Sequence, residues 1–171
     1  MSALSDYPEF VPVVARWHWQ EWGHTDPGGT LAAWTAGLAR QAGADRIPGT
    51  LVAVAERAPV GAVCLVEGDM PGHEAVAGLS PWIKGLYVDQ PARHQGYGAL
   101  LMSRCETWAA ALGHEVLYLY TERGSGAEQL YKRLGWQIIR HDQYDGIAVS
   151  VMRKHLDQAA GSSAPRPRYH A

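Results

Sequence analysis

Apolar residues in the first forty positions recur with a helical period. In YPEFVPVVARWHWQEWG, Phe10, Val14 and Trp17 share one face and Val11, Ala15 and Trp22 another, which predicts a helix over residues 8–22. Pro8 and Glu9 suit its first turn, where a missing N–H is harmless and a carboxylate meets the positive end of the dipole. Residues 30–43 repeat the pattern, with Thr30 as N-cap and Gly43 as stop. The period then changes. TLVAVAE and PVGAVCLVE, separated by Arg57 and Ala58, predict an antiparallel hairpin, and residues 81–89 a third strand. Residues 96–113 return to the helical period, with Leu101, Cys105, Trp108 and Leu112 on one stripe. Residues 115–122 are apolar on both faces, as in a central strand covered on both sides. AEQLYKRLG is a short helix ending at Gly135, and WQIIRH and IAVSVMRK close the chain as strands. The order α-α-β-β-β-α-β-α-β-β predicts a mixed α/β sheet covered by helices.

The chain of 171 residues is long enough for one domain with a proper core. Its formal net charge of -2 argues against nucleic acid as a partner and leaves room for a cationic small substrate. Cys64 and Cys105 lie in apolar stretches and read as buried, reduced thiols. The N-terminal residues have neither a basic nor an apolar leader region, and no apolar run approaches the roughly 18 residues of a membrane span. A cytoplasmic protein without a membrane partner is expected. Residues 157–171, small, polar and proline-containing, are expected to be a disordered tail beyond a domain of residues 1–156. The histidines show no metal-ligand spacing, so no metal is expected.

The chemistry concentrates in LYVDQPARHQGYGALL. A strand ending near Val88 meets, after a short loop, a helix that begins on two glycines, Gly96 and Gly98. A helix N-terminus presents unpaired N–H groups and a partial positive charge, and glycine lets an anion approach that backbone. Arg93 adds a guanidinium suited to phosphate. Arg93-His94-Gln95-Gly96-Tyr97-Gly98 therefore reads as a pyrophosphate cradle. A second strand-to-helix stretch, Gly124 to Gln129, lacks the third glycine of a dinucleotide fingerprint. With Asp142 and Asp145 at the distance of a ribose-binding acid, it leaves a weaker nucleotide-binding alternative.

These residues resemble motif A of the GNAT superfamily of acyl-CoA-dependent N-acetyltransferases, [Q/R]-x-x-G-x-[G/A]. AEQLYKRLGW resembles its motif B, with Tyr131 four residues before the Gly135-Trp136 pair. The resemblance runs from Pro48 to Leu156. It implies an α/β GNAT fold: a mixed, mostly antiparallel sheet of about six to seven strands, splayed at its centre, flanked by about four helices. It also implies acetyl-CoA as co-substrate, with pyrophosphate on the N–H groups of His94, Gln95, Gly96, Tyr97, Gly98 and Ala99 and with Arg93 beside it. The pantetheine arm would lie along the strand edge Leu86-Tyr87-Val88.

Acetyl transfer to an amine needs a base, a group for the oxyanion and a proton for the departing sulfur. The resemblance places Tyr131 as the proton donor and an N–H of Tyr87 or Val88 at the oxyanion. Glu67 and Asp69 are the first candidates for the base, followed by Glu74 and His73 in the next loop. WHWQEWGHTD resembles the aromatic and acidic stretch of aminoglycoside 6'-N-acetyltransferases, so Trp19, Glu21 and Trp22, with Asp26 and Glu74, are candidate contacts for a small cationic amine. An aminoglycoside is the first choice of acceptor. A peptide, protein or polyamine amine is the alternative, and a non-catalytic acetyl-CoA-binding sensor is a second class. The assembly is expected to be a monomer or homodimer.

Overall fold

The computed structural model describes residues 1–156 apart from Ala42 and Ala44; the expected tail, residues 157–171, lies outside the described part. Seven strands form one sheet: β1 (Ser2–Ala3), β2 (Gly49–Ala55), β3 (Ala58–Val66), β4 (Trp82–Val88), β5 (Val116–Glu122), β6 (Gln137–Tyr144) and β7 (Ile147–His155), in the spatial order 1-2-3-4-5-7-6. Every neighbouring pair is antiparallel except β4 and β5. The α-helices are α1 (Val11–Trp22), α2 (Leu31–Arg40), α3 (Tyr97–Ala111) and α4 (Gly126–Arg133).

Alternation along the strands divides the core in two. On one face Val52, Ala62, Cys64, Val66 and Trp82 pack against Val14, Ala15 and Trp17 of α1 and Leu38 of α2. On the other, Leu51, Val63, Leu65, Ile83, Leu117 and Leu119 pack against Leu101, Met102 and Cys105 of α3 and Tyr131 of α4. Both cysteines are free and buried. Among the described residues, no helix is long and apolar enough to cross a membrane.

Several boundaries differ from the sequence pattern. Pro8–Phe10 is a 3-10 turn, and the α-helix begins only at Val11. Pro12 requires this, since a proline is tolerated in a first turn and breaks a bond further in. The β2–β3 turn is Glu56-Arg57, one residue earlier than expected, with φ of 49° and 66°. Such left-handed pairs match the twist of a two-residue hairpin. β1 is two residues long, too short to leave a period in the sequence. Helix α3 begins at Tyr97, with Gly96 as its left-handed N-cap at φ 87°.

Helix α4 closes its own N-terminus. Ser125 Oγ accepts from the Glu128 N–H at 3.1 Å, and Glu128 Oε2 accepts from the Gly124 N–H at 2.9 Å. This is a near relative of the capping box. Glu128 is 3% exposed, receives the Ser150 hydroxyl at 2.9 Å and holds the Lys132 ammonium. Lys132 and the Gly124 N–H hold its carboxyl down to about 2. Against the nucleotide reading of Gly124 to Gln129, the Gly124 and Glu128 amides are engaged within the chain, and the Glu128 carboxylate stands at the helix start where an anion would bind. Asp142 is likewise engaged, with Arg140 and with His73 at 3.4 Å. Glu128→Ala strands a buried hydroxyl and a buried N–H, so it should lower the unfolding free energy by about 2–3 kcal/mol, measurable by urea titration.

Candidate active site

The site begins with a break in the sheet. β4 and β5 share a single rung, Trp82 opposite Tyr118, with the Tyr118 N–H on the Pro81 carbonyl at 3.0 Å. Beyond it the strands diverge, and β4 turns an unpaired edge toward the opening. Its orientation can be read from the ladder to β3. The Asp89 N–H bonds Val60, so the backbone groups of Tyr87 face β3 and those of Val88 face the opening. Of the two oxyanion donors expected, Val88 is the one the register turns that way. β4 also carries a bulge between its pairs to Ala62 and Cys64, at Gly85, whose φ is 61°. A Cβ there would lie 3.1 Å from the His18 ring, so the bulge and the imidazole occupy adjoining space.

The start of α3 opens beside this edge. His94 and Gly96 both have positive φ and bracket Gln95, an alternation that turns successive N–H groups toward one point. The first intrahelical bond is Leu100 to Gly96, and no side chain caps the helix. The amides of residues 94–99 donate to nothing among the described residues. The two glycines have different reasons. Gly96 is demanded by its left-handed backbone, whereas a Cβ on Gly98 would make only ordinary contacts, 3.5 Å to Leu130 and 3.9 Å to Val88. The fold itself would accept a side chain at Gly98.

Arg93 is half committed. Its Nε donates to the Val88 carbonyl at 3.0 Å, and its guanidinium lies 5.6 Å from the Tyr87 ring centroid. The terminal nitrogens remain available to an anion. Tyr87 stacks on Trp17 at 5.3 Å, so its ring belongs to the α1 face, while Leu86 and Val88 pack toward α3 and α4. Tyr131 is 8% exposed, and burial alone pushes its hydroxyl up to about 12. That hydroxyl has no partner among the described residues.

On the α1 face, the loop after β3 folds over the opening. Asp69 has an 11% exposed side chain, accepts from the Met70 N–H at 3.0 Å and lies 3.6 Å from Lys84 Nζ. Burial, and next to it the Asp69 charge, raises the Tyr120 hydroxyl above the ordinary phenol range. Asp69 is tied to β4 through Lys84. Glu67 is exposed and only reaches the Ser80 hydroxyl, at 3.5 Å. Glu67, Asp69, His73 and Glu74 line one groove of about 610 Å³. His73 fastens the loop to Asp142, and its ring lies 6.1 Å from Tyr144.

The acceptor candidates separate. Trp22 reaches the site, 6.5 Å from the Tyr87 ring and 5.4 Å from His18. Trp19 is 39% exposed and covers Gly23, and Glu21 is exposed; no contact ties either to β4. Asp26 is bound to the Trp34 indole at 2.8 Å. Sequence reasoning missed Lys84, Gly85, His18, Tyr120 and Tyr144. A glycine and a lysine inside an apolar strand were the available signals for the first two. His18 is 6% exposed, and burial lowers its pKa to about 4 against a weaker opposing contribution from Gly85. Among the described residues, no group of three or more His, Cys, Asp or Glu could hold a metal ion.

An open α/β sheet with a parted parallel pair and an uncapped helix start beside it defines a protein that can take an extended, anion-bearing ligand between β4 and β5. The model of the acetyltransferase (GNAT) family matches residues 6–136, and the chain belongs to that family. It is an acyl-CoA-dependent N-acetyltransferase with acetyl-CoA as co-substrate. Among solved structures, aminoglycoside 6'-acetyltransferase type Ii has 18% identity and a TM-score of 0.66, covering 94% of each chain. An aminoglycoside 6'-N-acetyltransferase complexed with coenzyme A has 16% identity and a TM-score of 0.70, covering 95% of this chain and 96% of the other. Ard1 from Thermoplasma volcanium has 17% identity and a TM-score of 0.64, covering 87% and 93%. At these identities the likeness is one of fold. No curated protein matches the sequence. The residues present fit the co-substrate: free amides at 94–99, the terminal guanidinium nitrogens of Arg93 and an unpaired strand edge.

Gly98→Ala should leave stability unchanged or higher by up to about 1 kcal/mol, since alanine is the better helix former. Its methyl would rest against Leu130 and Val88, at a position where the motif accepts alanine, so CoA affinity measured by calorimetry should stay within about threefold. Gly96→Ala should instead cost about 1 kcal/mol of stability through its backbone.

His18 gives a pH signature. Between its ordinary value of 6.5 and the folded value of about 4, the unfolded chain binds a proton that the folded chain refuses. Stability should therefore fall as pH drops through that window, by up to about 3 kcal/mol, and His18→Leu should flatten that part of the curve.

Proposed function

We propose that this N-acetyltransferase acts on a primary amine of a small cationic acceptor, an aminoglycoside being the first choice. The observation that carries this reading is the groove within the loop of residues 67–80, whose walls include Glu67, Asp69 and Glu74 and which Asp69 ties to β4 through Lys84. Three carboxylates can pair with an acceptor of several positive charges, and Trp22, edge-on to Tyr87, offers an aromatic face from α1. Two aminoglycoside acetyltransferases among the solved structures share the fold over nearly their whole length, which agrees with the choice.

Bound acetyl-CoA supplies an activated acetyl thioester; the rest falls to the protein. The amides of residues 94–99 and the free nitrogens of Arg93 hold the pyrophosphate, and the Leu86-Tyr87-Val88 edge aligns the pantetheine arm. Asp69 takes the proton that the acceptor ammonium must lose, because its side chain is largely buried and stands beside Lys84 of β4, whereas Glu67 is exposed. The Val88 N–H points where oxyanion charge develops. Tyr131 donates a hydrogen bond to the departing sulfur. Its hydroxyl, at about 12, stays protonated throughout the neutral range and is less acidic than a thiol, so the sulfur's final proton comes from the solvent or from Asp69.

The test is a thiol-release assay with acetyl-CoA against aminoglycosides, polyamines and peptides. Turnover of an aminoglycoside is expected. Turnover confined to peptides would replace the acceptor reading, and CoA binding with no turnover of any amine would favour a sensor. With an active acceptor, Tyr131→Phe should lower kcat about 10- to 100-fold and leave the KM for acetyl-CoA within about twofold.

A further inference from the structure

The acceptor face of the sheet carries an amine of the chain's own. The chain has three lysines. Lys132 is held by Glu128, and Lys154 by Glu106 at 2.7 Å and the Leu134 carbonyl at 2.8 Å, both against α3 and α4. Lys84 stands elsewhere. It precedes the Gly85 bulge, and its register partner Cys64 and its neighbour Trp82 both belong to the α1-side core. Side chains two apart on a strand share a face, so Lys84 rises on the acceptor face. Its side chain is 47% exposed, with Nζ 3.6 Å from Asp69 Oδ1. The last β4–β5 rung is Trp82 opposite Tyr118, so Lys84 stands two residues beyond it, at the edge of the opening and on the same face as Trp82. The Lys84–Asp69 pair therefore sits above the mouth of the β4–β5 opening. An amine, a carboxylate to take its proton and a thioester site are together the reactants and base of the transfer.

We propose that Lys84 is itself an acetyl acceptor, so that in the absence of an external amine the protein acetylates its own Lys84 Nζ. The inference rests on the reading of the strand opening as the thioester site. In the step, Asp69 takes a proton from the Nζ ammonium and the neutral nitrogen forms a bond to the acetyl carbon. The carbon–sulfur bond breaks, and CoA leaves as the thiol. One amide and one thiol form from one ammonium and one thioester, with one proton released. The product is a neutral acetyl-lysine, which no longer pairs with Asp69. The modification would change the charge against which a cationic acceptor binds.

The full chain, incubated with acetyl-CoA and no added amine, is followed by intact mass and peptide mapping. One acetyl group is expected on Lys84, at a first-order rate independent of protein concentration. That rate should exceed acetylation of Lys132, Lys154 and the N-terminal amine by at least about tenfold. Lys84→Arg should abolish the adduct while CoA affinity by calorimetry stays within about twofold, and Asp69→Asn should slow it at least about tenfold. Acetyl groups spread evenly over the three lysines, or none on Lys84 in a chain that binds CoA, would overturn the proposal. In the latter case, turnover of an added amine would leave the transferase reading standing. Failure to bind CoA at all would overturn both.

Discussion

After a single rung, β4 and β5 part. This constraint organises the rest of the molecule. A sheet opened at its centre leaves main-chain donors and acceptors unpaired in a region that is otherwise core, and such groups are costly unless something meets them. The two halves stay together because each is braced independently. β2, β3 and β4 form one antiparallel block under α1 and α3, and β5, β6 and β7 form another, in which β7 pairs with β5 along its whole length. Buried side chains on both faces bridge what the ladder does not. The opening is thus a stable feature of the packing, and its unpaired edge is available to an extended ligand that brings its own hydrogen-bonding groups.

The two helices that follow strands at this opening treat the same problem in opposite ways. Each begins with N–H groups that need acceptors. At α4, Ser125 and Glu128 supply them from within the chain, and the buried carboxylate also satisfies Ser150. At α3, no side chain caps the start, although Gln95 is close by; its amide is turned to the Pro91 carbonyl at 3.0 Å. Local sequence therefore gives an inert start in one case and an unsatisfied one in the other. A strand-glycine-helix pattern alone does not distinguish them. The distinguishing residue is Glu128, three positions into its helix.

Much of this was legible along the chain, and the exceptions have physical causes. The helices and most strands follow from periodicity because each buries one face. The hairpin joining β6 and β7 turns on Asp145-Gly146, with φ of 50° and 77°, a strong turn signal that carries β6 three residues past the His141 boundary read from its apolar pattern. Those residues are polar because the strand forms the sheet edge and half of it faces water. The acceptor side was less legible. Trp19, Glu21 and Trp22 are adjacent in sequence, but the helical rotation sends Trp22 inward above His18 and leaves Trp19 on the outer side. Asp69 and Lys84 are fifteen positions apart and meet only because Met70 and Val76 anchor the intervening loop in the core. The parting of β4 from β5 leaves only an indirect local trace, the Lys84-Gly85 pair at the β4 bulge within an otherwise apolar strand.

One chain of contacts links the donor and acceptor sides of the site. Trp17 on α1 stacks on Tyr87, the Arg93 guanidinium lies over the same ring, and Arg93 Nε holds the Val88 carbonyl. Arg93 borders the free amides at the start of α3, and Trp22, one helical turn beyond His18, meets Tyr87 edge-on. An anion placed on the terminal guanidinium nitrogens would fix the plane of Arg93, and with it the face it presents to Tyr87. The ring is already stacked on Trp17, which is 8% exposed. Occupation of the cradle therefore restricts the same aromatic group that borders the acceptor helix. An ordering of this kind makes a second ligand's contact with Trp22 and Tyr87 less costly in entropy, so donor binding should favour acceptor binding even if no backbone moves.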